Sequence, residues 1–244
     1  MLVSVALIFA IWQAIVSLTG VPGFILPGPV KVLQSLFHNR ALVAHHTWIT
    51  LIEVILGLII GISLGMMTAI GLSLSKTVRR FSMPMLVVSQ TIPVFALAPI
   101  LTLWLGYGLA SKVAMATLII YFPVTSTFFD GLQRTPKGFL DQAQVMQAST
   151  LRTLLQIRIP SALPALASGI RLAAVYAPIG AVIGEWVGAS NGLGYLMLLA
   201  NGRVKIDLMF AALIALCLLT VTLRYFVGLV CERMTRWSAM ESLH

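Results

Sequence analysis

Six apolar runs follow one another along the chain, separated by short polar intervals. They cover residues 2–18, 48–74, 84–106, 113–129, 163–187 and 208–230. About 20 consecutive apolar residues are enough for a helix to cross the hydrocarbon core of a bilayer. Only 9% of the residues are charged, whereas soluble globular proteins carry about 25%. The sequence therefore predicts an all-α, polytopic integral membrane protein with about six transmembrane helices.

The runs indicate one membrane domain, with little chain left for a soluble one. Residues 1–47 are predicted to hold the first transmembrane helix and an outer loop, residues 48–230 a core transmembrane domain, and residues 231–244 a tail. The longest polar interval of the core domain lies within residues 130–162. Lys and Arg are more frequent in this interval, in residues 75–83 and in the tail than on the other side, and such a bias marks the cytoplasmic side. Both termini and the long loop are therefore predicted to be cytoplasmic.

Charge and metal-ligand patterns exclude two classes of function. The formal net charge is +9, but the basic residues are distributed among short loops and not gathered in a patch, so no nucleic-acid partner is predicted. Cys217 and Cys231 lie in the last apolar run without the spacing of metal ligands. His38, His45 and His46 have no acidic or cysteine partner nearby, so we interpret them as loop residues and predict no metal site.

The second run carries a repeated small residue. Gly57, Gly61 and Gly65 stand four residues apart, and such a ridge lets another helix approach closely. Packing within the subunit explains the pattern. Glu53 lies near the end of the same run, where its carboxylate is expected to reach the lipid headgroups.

The polar interval from Thr135 to Pro164 has its own periodicity. Thr135 can serve as the N-cap of a helix, with Pro136 at the first helical position. The apolar positions 148, 151, 155 and 159 then recur at spacings of three and four, which suits one face of a short amphipathic helix. From this pattern alone, an ordinary loop helix lying at the membrane surface is a sufficient interpretation.

The same interval resembles the cytoplasmic loop of permease subunits in binding-protein-dependent ABC importers. The family pattern is an acidic residue and two alanines, three residues, glycine, nine residues, then Ile-x-Leu-Pro. The spacing is intact here, with departures at Gln142, Gln147 and Ile159, and Gln147 replaces a glycine whose backbone is more permissive. In the family this loop is a short helix that docks on a cytoplasmic ATPase subunit. The implied ATPase-coupling residues are Asp141, Gln142, Ala143, Gln147, Ala148, Ser149, Leu151, Ile157, Ile159 and Pro160.

Other segments resemble the taurine/nitrate/sulfonate branch of these permeases. They are Phe24–Pro27, Ile92–Pro99, Gly106–Gly108, Gly184–Glu185 and Gly192–Tyr195. Residues 185–190 and 196–210 look most like permeases for hydroxymethylpyrimidine-type thiamine precursors. The resemblance implies the type I ABC importer permease fold. It also implies a translocation subunit for a small organic solute of this thiamine-precursor type, with a sulfonate, taurine or nitrate as the alternative.

The resemblance also implies the partners. They are a second copy of the permease, a cytoplasmic ABC ATPase dimer and an extracytoplasmic substrate-binding protein, assembled in the lipid bilayer of a bacterial cytoplasmic (inner) membrane. The sequence contains no glycine-rich phosphate loop ending in Gly-Lys-Ser/Thr. ATP and Mg²⁺ are therefore expected on the partner ATPase, with no cofactor in this chain and no enzymatic activity of its own.

The third run is not a plain transmembrane helix. Pro84, Pro93 and Pro99 interrupt it, and Gln90 and Thr91 lie beside the central proline. In lipid, such breaks are tolerated where the helix is covered by protein or lines a wet cavity. This run is therefore predicted to line the transport pathway. The predicted pathway and gate residues are Gln90, Thr91, Pro93, Phe95, Glu185, Gly192, Gly194 and Tyr195.

Glu185 is a carboxylate near the outer end of the fifth run. Such a group is costly unless it is paired, hydrated or at the interface. Arg203 and Lys205, in the following outer loop, are its candidate partners. Two roles stay open for it: a direct part in an outer gate, or fixing the turn at Gly192–Tyr195.

Two other classes of protein fit the sequence less well. An intramembrane enzyme would need a catalytic constellation, but the sequence has no His-Glu-x-x-His, no pair of intramembrane Asp residues and no Gly-x-Ser-x-Gly. A membrane scaffold would not need the interrupted third run or a docking loop. Co-purification of an ATPase separates the transporter from both.

Overall fold

The computed structural model describes residues 2–89 and 91–236, which are almost entirely helical and contain no strand. Eleven α-helices and one π-helical turn make up this part of the chain. In order they are α1 (Leu2–Thr19), α2 (Pro29–His38), α3 (Arg40–Leu74), α4 (Lys76–Ser89), α5 (Val94–Leu105), α6 (Leu109–Gln133), α7 (Lys137–Val145), α8 (Thr150–Thr153), the π turn (Leu154–Arg158), α9 (Ile159–Trp186), α10 (Leu193–Gly202) and α11 (Ile206–Thr235).

Four stretches of the described chain are long and apolar enough to cross a membrane. They are Arg40–Leu74, Leu109–Gln133, Thr150–Trp186 and Ile206–Thr235. Of the other two predicted spans, the first is the 18-residue α1, and the third is divided into α4 and α5. At 1.5 Å per residue these two helices rise about 21 and 18 Å, so the break between them falls near the middle of one crossing.

Several predicted boundaries differ from the observed ones. The second span begins at Arg40 rather than at residue 48, because no breaker interrupts the helix there. The predicted tail begins inside α11, which continues to Thr235; residues 237–244 lie outside the described residues.

We call the end of the bundle where α6 passes into α7 and α8 the loop end, and the other end the opposite end.

The fifth span also begins earlier than predicted. Two prolines, Pro160 and Pro164, lie beside the predicted start at residue 163, but α8, the π turn and α9 run on without interruption from Thr150 to Trp186. A proline ring clashes with the carbonyl four residues earlier. For Pro160 that residue is Gln156, which lies in the wider π turn. The local change in winding therefore lets the helix continue through the proline.

Helix α6 is packed tightly between α3 and α9. On the α3 side, a Cβ atom added to Gly57 would lie 2.6 Å from the Cβ of Ala116, and one on Gly61 would lie 2.7 Å from Ile120. On the α9 side, a Cβ on Gly180 would lie 2.7 Å from the Cα of Ala116. The predicted close approach at the glycine ridge is therefore confirmed, and its partner is α6.

Two apolar cores support this bundle. The larger one joins α3, α6 and α9 and contains fully buried residues such as Val54, Ile120, Val124, Phe128 and Leu166. The smaller one lies toward the opposite end, where α10 packs on α11 and the start of α3. Its buried members are Val43, Leu193, Leu196, Ala200, Leu208, Ala212 and Leu219. This second core holds the short helix α10 against α3 and α11.

Candidate functional site

The loop between α6 and α9 contains a sharp, regular turn. Helix α7 ends with the Gln147 N–H donating to the Gln144 carbonyl at 3.0 Å and the Ala148 N–H donating to the Ala143 carbonyl at 2.9 Å. Gln147 itself has φ +53°, in the left-handed region. This pair of hydrogen bonds around a left-handed residue is the Schellman ending of a helix, in which glycine is usual. The turn that the family pattern assigns to glycine is therefore formed by glutamine.

The left-handed backbone at Gln147 predicts a stabilising substitution. Gln147→Gly is expected to raise the free energy of unfolding by about 1 kcal/mol. A left-handed backbone costs a non-glycine residue roughly 1–2 kcal/mol, and part of the gain on removing this cost is offset because glycine loses more conformational entropy on folding. Gln144→Gly is the matched control: Gln144 is also exposed but lies inside α7, so it should lose about 1 kcal/mol. Thermal unfolding of the purified variants measures both, and destabilisation by both would contradict the assignment.

The remaining predicted coupling residues lie along the same loop. Ser149 accepts a hydrogen bond from the Arg152 N–H at 3.3 Å and begins α8 as its N-cap. Asp141, Gln142 and Leu151 are exposed, whereas Ala143 is buried at 4% exposure. The other members, Ala148, Ile157, Ile159 and Pro160, are half-buried between α7 and the start of α9.

Arg158 fastens this loop to the bundle, a role that the sequence did not reveal. Its Nε and Nη2 donate to the Leu132 carbonyl at 3.3 and 3.0 Å, and its Nη1 donates to the Ser73 carbonyl at 3.4 Å. Both carbonyls belong to the last turns of α6 and α3, where backbone acceptors lack helical partners. Cations at helix C-termini are favourable. No signal in the motif marked Arg158, which occupies its variable position.

The loop exposes an apolar tip and a recess. Val145 and Met146 at the end of α7 are 84% and 81% exposed, and Leu151 and Leu155 are 61% and 55% exposed. A recess of about 390 Å³ opens beside them, with walls that include Leu140, Ala143, Ala148 and Thr153. These apolar side chains stand on a polar loop outside the apolar part of the helices, an arrangement typical of protein–protein contacts.

At the opposite end, Glu185 is buried at 1% exposure. The Thr50 hydroxyl donates to its Oε1 at 2.6 Å, while the N–H groups of Gly194 and Tyr195 donate to its Oε2, the latter at 3.3 Å. The carboxylate therefore caps the N-terminus of α10, where negative charge is favourable.

The predicted partners of Glu185 were wrong. Arg203 and Lys205 are exposed, and neither is among the described hydrogen-bond partners of this carboxylate. Both follow the C-terminal end of α10, about 15 Å from the N-terminus that Glu185 caps. Proximity in sequence was therefore misleading, because a helix separates the two sites.

The glycine turn closes over this carboxylate. Gly192 has φ +109°, and a Cβ on it would overlap the Glu185 carboxyl group. The Gly192 N–H donates to His46 Nδ1 at 3.0 Å, and the Leu193 N–H donates to Thr50 Oγ1 at 2.8 Å. Two residues of α3 and one of α9 thus hold the turn, which is the arrangement expected of the turn-fixing role.

Two further charged side chains complete a buried charge cluster of Glu53, Lys112 and Glu185. Glu53 was expected to reach the headgroups, but it is only 3% exposed because α6 and α9 cover this part of α3. Its carboxyl group neighbours that of Glu185 within hydrogen-bonding reach. Lys112 is 2% exposed, and its Nζ donates to the carbonyls of Tyr107 at 2.6 Å and Gly188 at 3.4 Å. Each of α3, α6 and α9 contributes one ionisable side chain.

The other predicted pathway residues lie at the break between α4 and α5. Thr91 and Phe95 are exposed, the latter at 66%, and the Thr91 hydroxyl donates to the Val88 carbonyl at 2.8 Å. Pro93 is the N-cap of α5, and Gln90 lies outside the described residues. Among the described residues, no hydrogen bond or ring contact connects this break with the Glu185 turn. The predicted pathway residues therefore form two groups, one at this break and one at the Glu185 turn.

Comparisons with known proteins agree with this architecture. Residues 61–236 match the family described as binding-protein-dependent transport system inner membrane component. A probable ABC transporter permease protein of Haemophilus influenzae is 49% identical over 97% of this chain and 96% of its own length. The formylaminopyrimidine transport permease protein ThiX of Halalkalibacterium halodurans is 37% identical over 78% of this chain and 76% of its own length.

A solved structure shows the same fold. The matched chain of the MetNI methionine ABC transporter superposes with a TM-score of 0.71 at 18% identity, covering 81% of this chain and 98% of the other. The predicted all-α, type I ABC importer permease fold is confirmed, as is the prediction that the chain is a translocation subunit and not an enzyme. The chain belongs to the family of inner-membrane components of binding-protein-dependent transport systems.

Proposed function

We propose that two copies of this chain form the membrane path of an ABC importer, coupled to a separate ATPase dimer through residues 135–164. The observation that carries the proposal is the apolar tip at Val145 and Met146 beside the recess between α7 and α8. In this arrangement the loop end faces the cytoplasm, and ATP and Mg²⁺ bind to the partner. An extracytoplasmic binding protein delivers the substrate at the opposite end.

The hydrogen bonds of the loop connect it firmly to the membrane helices. The Schellman turn at Gln147 and the N-cap at Ser149 fix the two short helices at a defined angle. Arg158 then joins the loop to the ends of α3 and α6. A partner bound to the apolar tip would therefore move these helices together with the loop.

Two substitutions test the docking surface. Met146→Glu places a charge on the exposed tip, and Ala143→Glu fills the recess, so both should abolish co-purification of the ATPase because burying an unpaired charge is unfavourable. Gln156→Glu is the control, since it adds the same charge to an exposed position of the loop. Met146 is 81% exposed, so its variant should insert and melt like the wild type. A normal yield of complex from Met146→Glu would refute the docking surface.

We propose a pyrimidine-type thiamine precursor as the substrate. The support is the likeness to the formylaminopyrimidine permease and the resemblance of residues 185–190 and 196–210 to permeases of such precursors. A sulfonate is the alternative, because an aliphatic sulfonate permease of Bacillus subtilis, itself a putative one, is 30% identical over 95% of this chain. Thr91, Pro93 and Phe95 would line the path at the α4–α5 break, with Gln90 beside them in sequence.

Uptake by the reconstituted complex decides between these substrates. Proteoliposomes containing the permease and its ATPase, with the binding protein encoded beside them, should accumulate labelled hydroxymethylpyrimidine in the presence of ATP. Labelled taurine should not accumulate. ATP-dependent uptake of taurine alone would reject the pyrimidine assignment, while uptake of neither, from a complex whose ATPase responds to the loaded binding protein, would reject both.

A further inference from the structure

Two arginines lie inside the spanning helices near the loop end, and transport does not account for them. Arg171 belongs to α9 and Arg224 to α11, and both are half-buried. They stand about 18 Å and 16 Å from the loop-side ends of their helices. An ionisable side chain at such a depth is costly and is a functional-site hypothesis by default.

The two guanidinium groups converge on one place. The Cys231 thiol of α11 contacts the Ala167 carbonyl of α9 at 3.6 Å. Arg171 is within hydrogen-bonding reach of this thiol, and Arg224 is close enough to act on it electrostatically. A Cβ on Gly228 would lie 3.1 Å from Nη1 of Arg224, so this side chain extends along its helix toward the loop end. Both arginines therefore present their charge at the level of Cys231, shallower than their own Cα atoms.

No carboxylate neutralises this pair within the described residues. Among the described residues, the acidic side chain near Cys231 is the exposed Glu232, and neither arginine is ion-paired with it. Two like charges in a medium of low dielectric repel each other, and an anion placed between them removes the repulsion. The guanidinium fork fits a phosphate in bidentate fashion. Exposed apolar side chains, Phe226, Leu229 and Val230, occupy the same stretch of α11.

We propose that Arg171 and Arg224 together bind the headgroup of an anionic phospholipid from the leaflet at the loop end. Its acyl chains lie along the exposed apolar side chains of α11. Basic pockets between transmembrane helices bind anionic headgroups in this way, and the cytoplasmic leaflet is rich in them. Which leaflet supplies the lipid rests on the proposed orientation, whereas the site itself does not.

Lipid retention by the purified permease–ATPase complex tests the site. The complex is titrated with phosphatidylglycerol in detergent, and bound lipid is counted by native mass spectrometry. Arg171→Gln and Arg224→Gln should each weaken retention about fivefold, in line with the contribution of one arginine at an anionic surface, and the double variant by the product of the two. Arg80→Gln, an exposed cation of α4, is the control and should bind like the wild type. Phosphatidylcholine, which has no net charge, should bind weakly to all variants.

The outcomes distinguish a bound lipid from a bound soluble anion. Equal retention of phosphatidylglycerol by the double variant and the wild type would overturn the proposal. Displacement of the lipid by millimolar inorganic phosphate would assign the site to a soluble anion instead. Should the double variant fail to assemble, the two single variants decide by the same titration. Because lipid binding is the readout, the outcome does not depend on which substrate the complex transports.

Discussion

Replacing Glu185 by alanine is expected to lower the free energy of unfolding by about 3–5 kcal/mol, the usual cost of removing one partner from a buried charge group. The substitution would leave the N–H groups of Gly194 and Tyr195 without their acceptor and the Thr50 hydroxyl without its short hydrogen bond. It would also leave Lys112 with one carboxylate fewer. Because the N-terminus of α10 rests on this carboxylate, the turn at the opposite end should loosen first.

Unfolding of the purified permease in mixed micelles measures this effect. Glu232→Ala removes an exposed carboxylate from α11 and should change the free energy by less than about 0.5 kcal/mol, as surface substitutions usually do. A loss for Glu185→Ala no larger than this control would show that the capping hydrogen bonds do not matter.

Glu185→Gln then separates turn fixing from gating. The amide keeps the size of the side chain and one acceptor, so the variant should assemble. If Glu185 only fixes the turn, transport per assembled complex stays at the wild-type level. If its charge also holds the opposite end closed, ATP hydrolysis by the reconstituted complex should proceed without the loaded binding protein. If the loaded binding protein stimulates ATP hydrolysis as in the wild type and uptake is also unchanged, Glu185 is not part of the gate.

Lys112→Met is expected to have an effect of similar size, about 3–5 kcal/mol of lost stability. Its Nζ supplies the only cation among the described residues of the buried charge cluster. It also donates hydrogen bonds to the carbonyls of Tyr107 and Gly188. Without it, Glu53 and Glu185 would face each other in a site from which water is excluded. Lys205→Met, at an exposed position near the same end, is the matched control.

A second substitution makes this prediction specific. Glu53→Gln replaces one of the two carboxyl groups by an amide that cannot ionise, so in the Lys112→Met background it should restore part of the lost stability. Residues that share a buried network typically show coupling energies of about 0.5–3 kcal/mol in such double-mutant cycles. Strict additivity of the two substitutions would mean that Lys112 acts only through its backbone contacts.

The elements that sequence could predict are those with a local signal. Run length indicated the spans, because crossing a bilayer requires a fixed number of apolar residues. The spacing of Gly57, Gly61 and Gly65 predicted a close helix contact, and the motif around Gln147 located the loop. The continuity of α8 with α9 was not predictable, because proline normally ends a helix and the compensating π turn has no sequence signature.

The buried charge cluster was not predictable for a different reason. Glu53, Lys112 and Glu185 lie far apart in sequence, and each one alone resembles a charge at the membrane interface. Only the packing of α3 and α9 against α6 brings them together. For Glu185, reasoning along the chain selected the nearest cations, Arg203 and Lys205, whereas the actual partners are Thr50 and two backbone groups of the α10 N-terminus.

The glycine contacts on both sides of α6 have a mechanical consequence. Because Ala116 of α6 leaves no room for a side chain at Gly57 of α3 or at Gly180 of α9, the three helices pack in close contact, and Arg158 fastens the loop to α3 and α6. The three helices therefore act as one stiff lever whose middle member is about 37 Å long. We expect a displacement applied at the loop to reach the buried charge cluster as a rotation of the whole lever. In the dimer proposed above, the shape changes of the transport cycle would then fall to α4 and α5 and to the contact between the two copies.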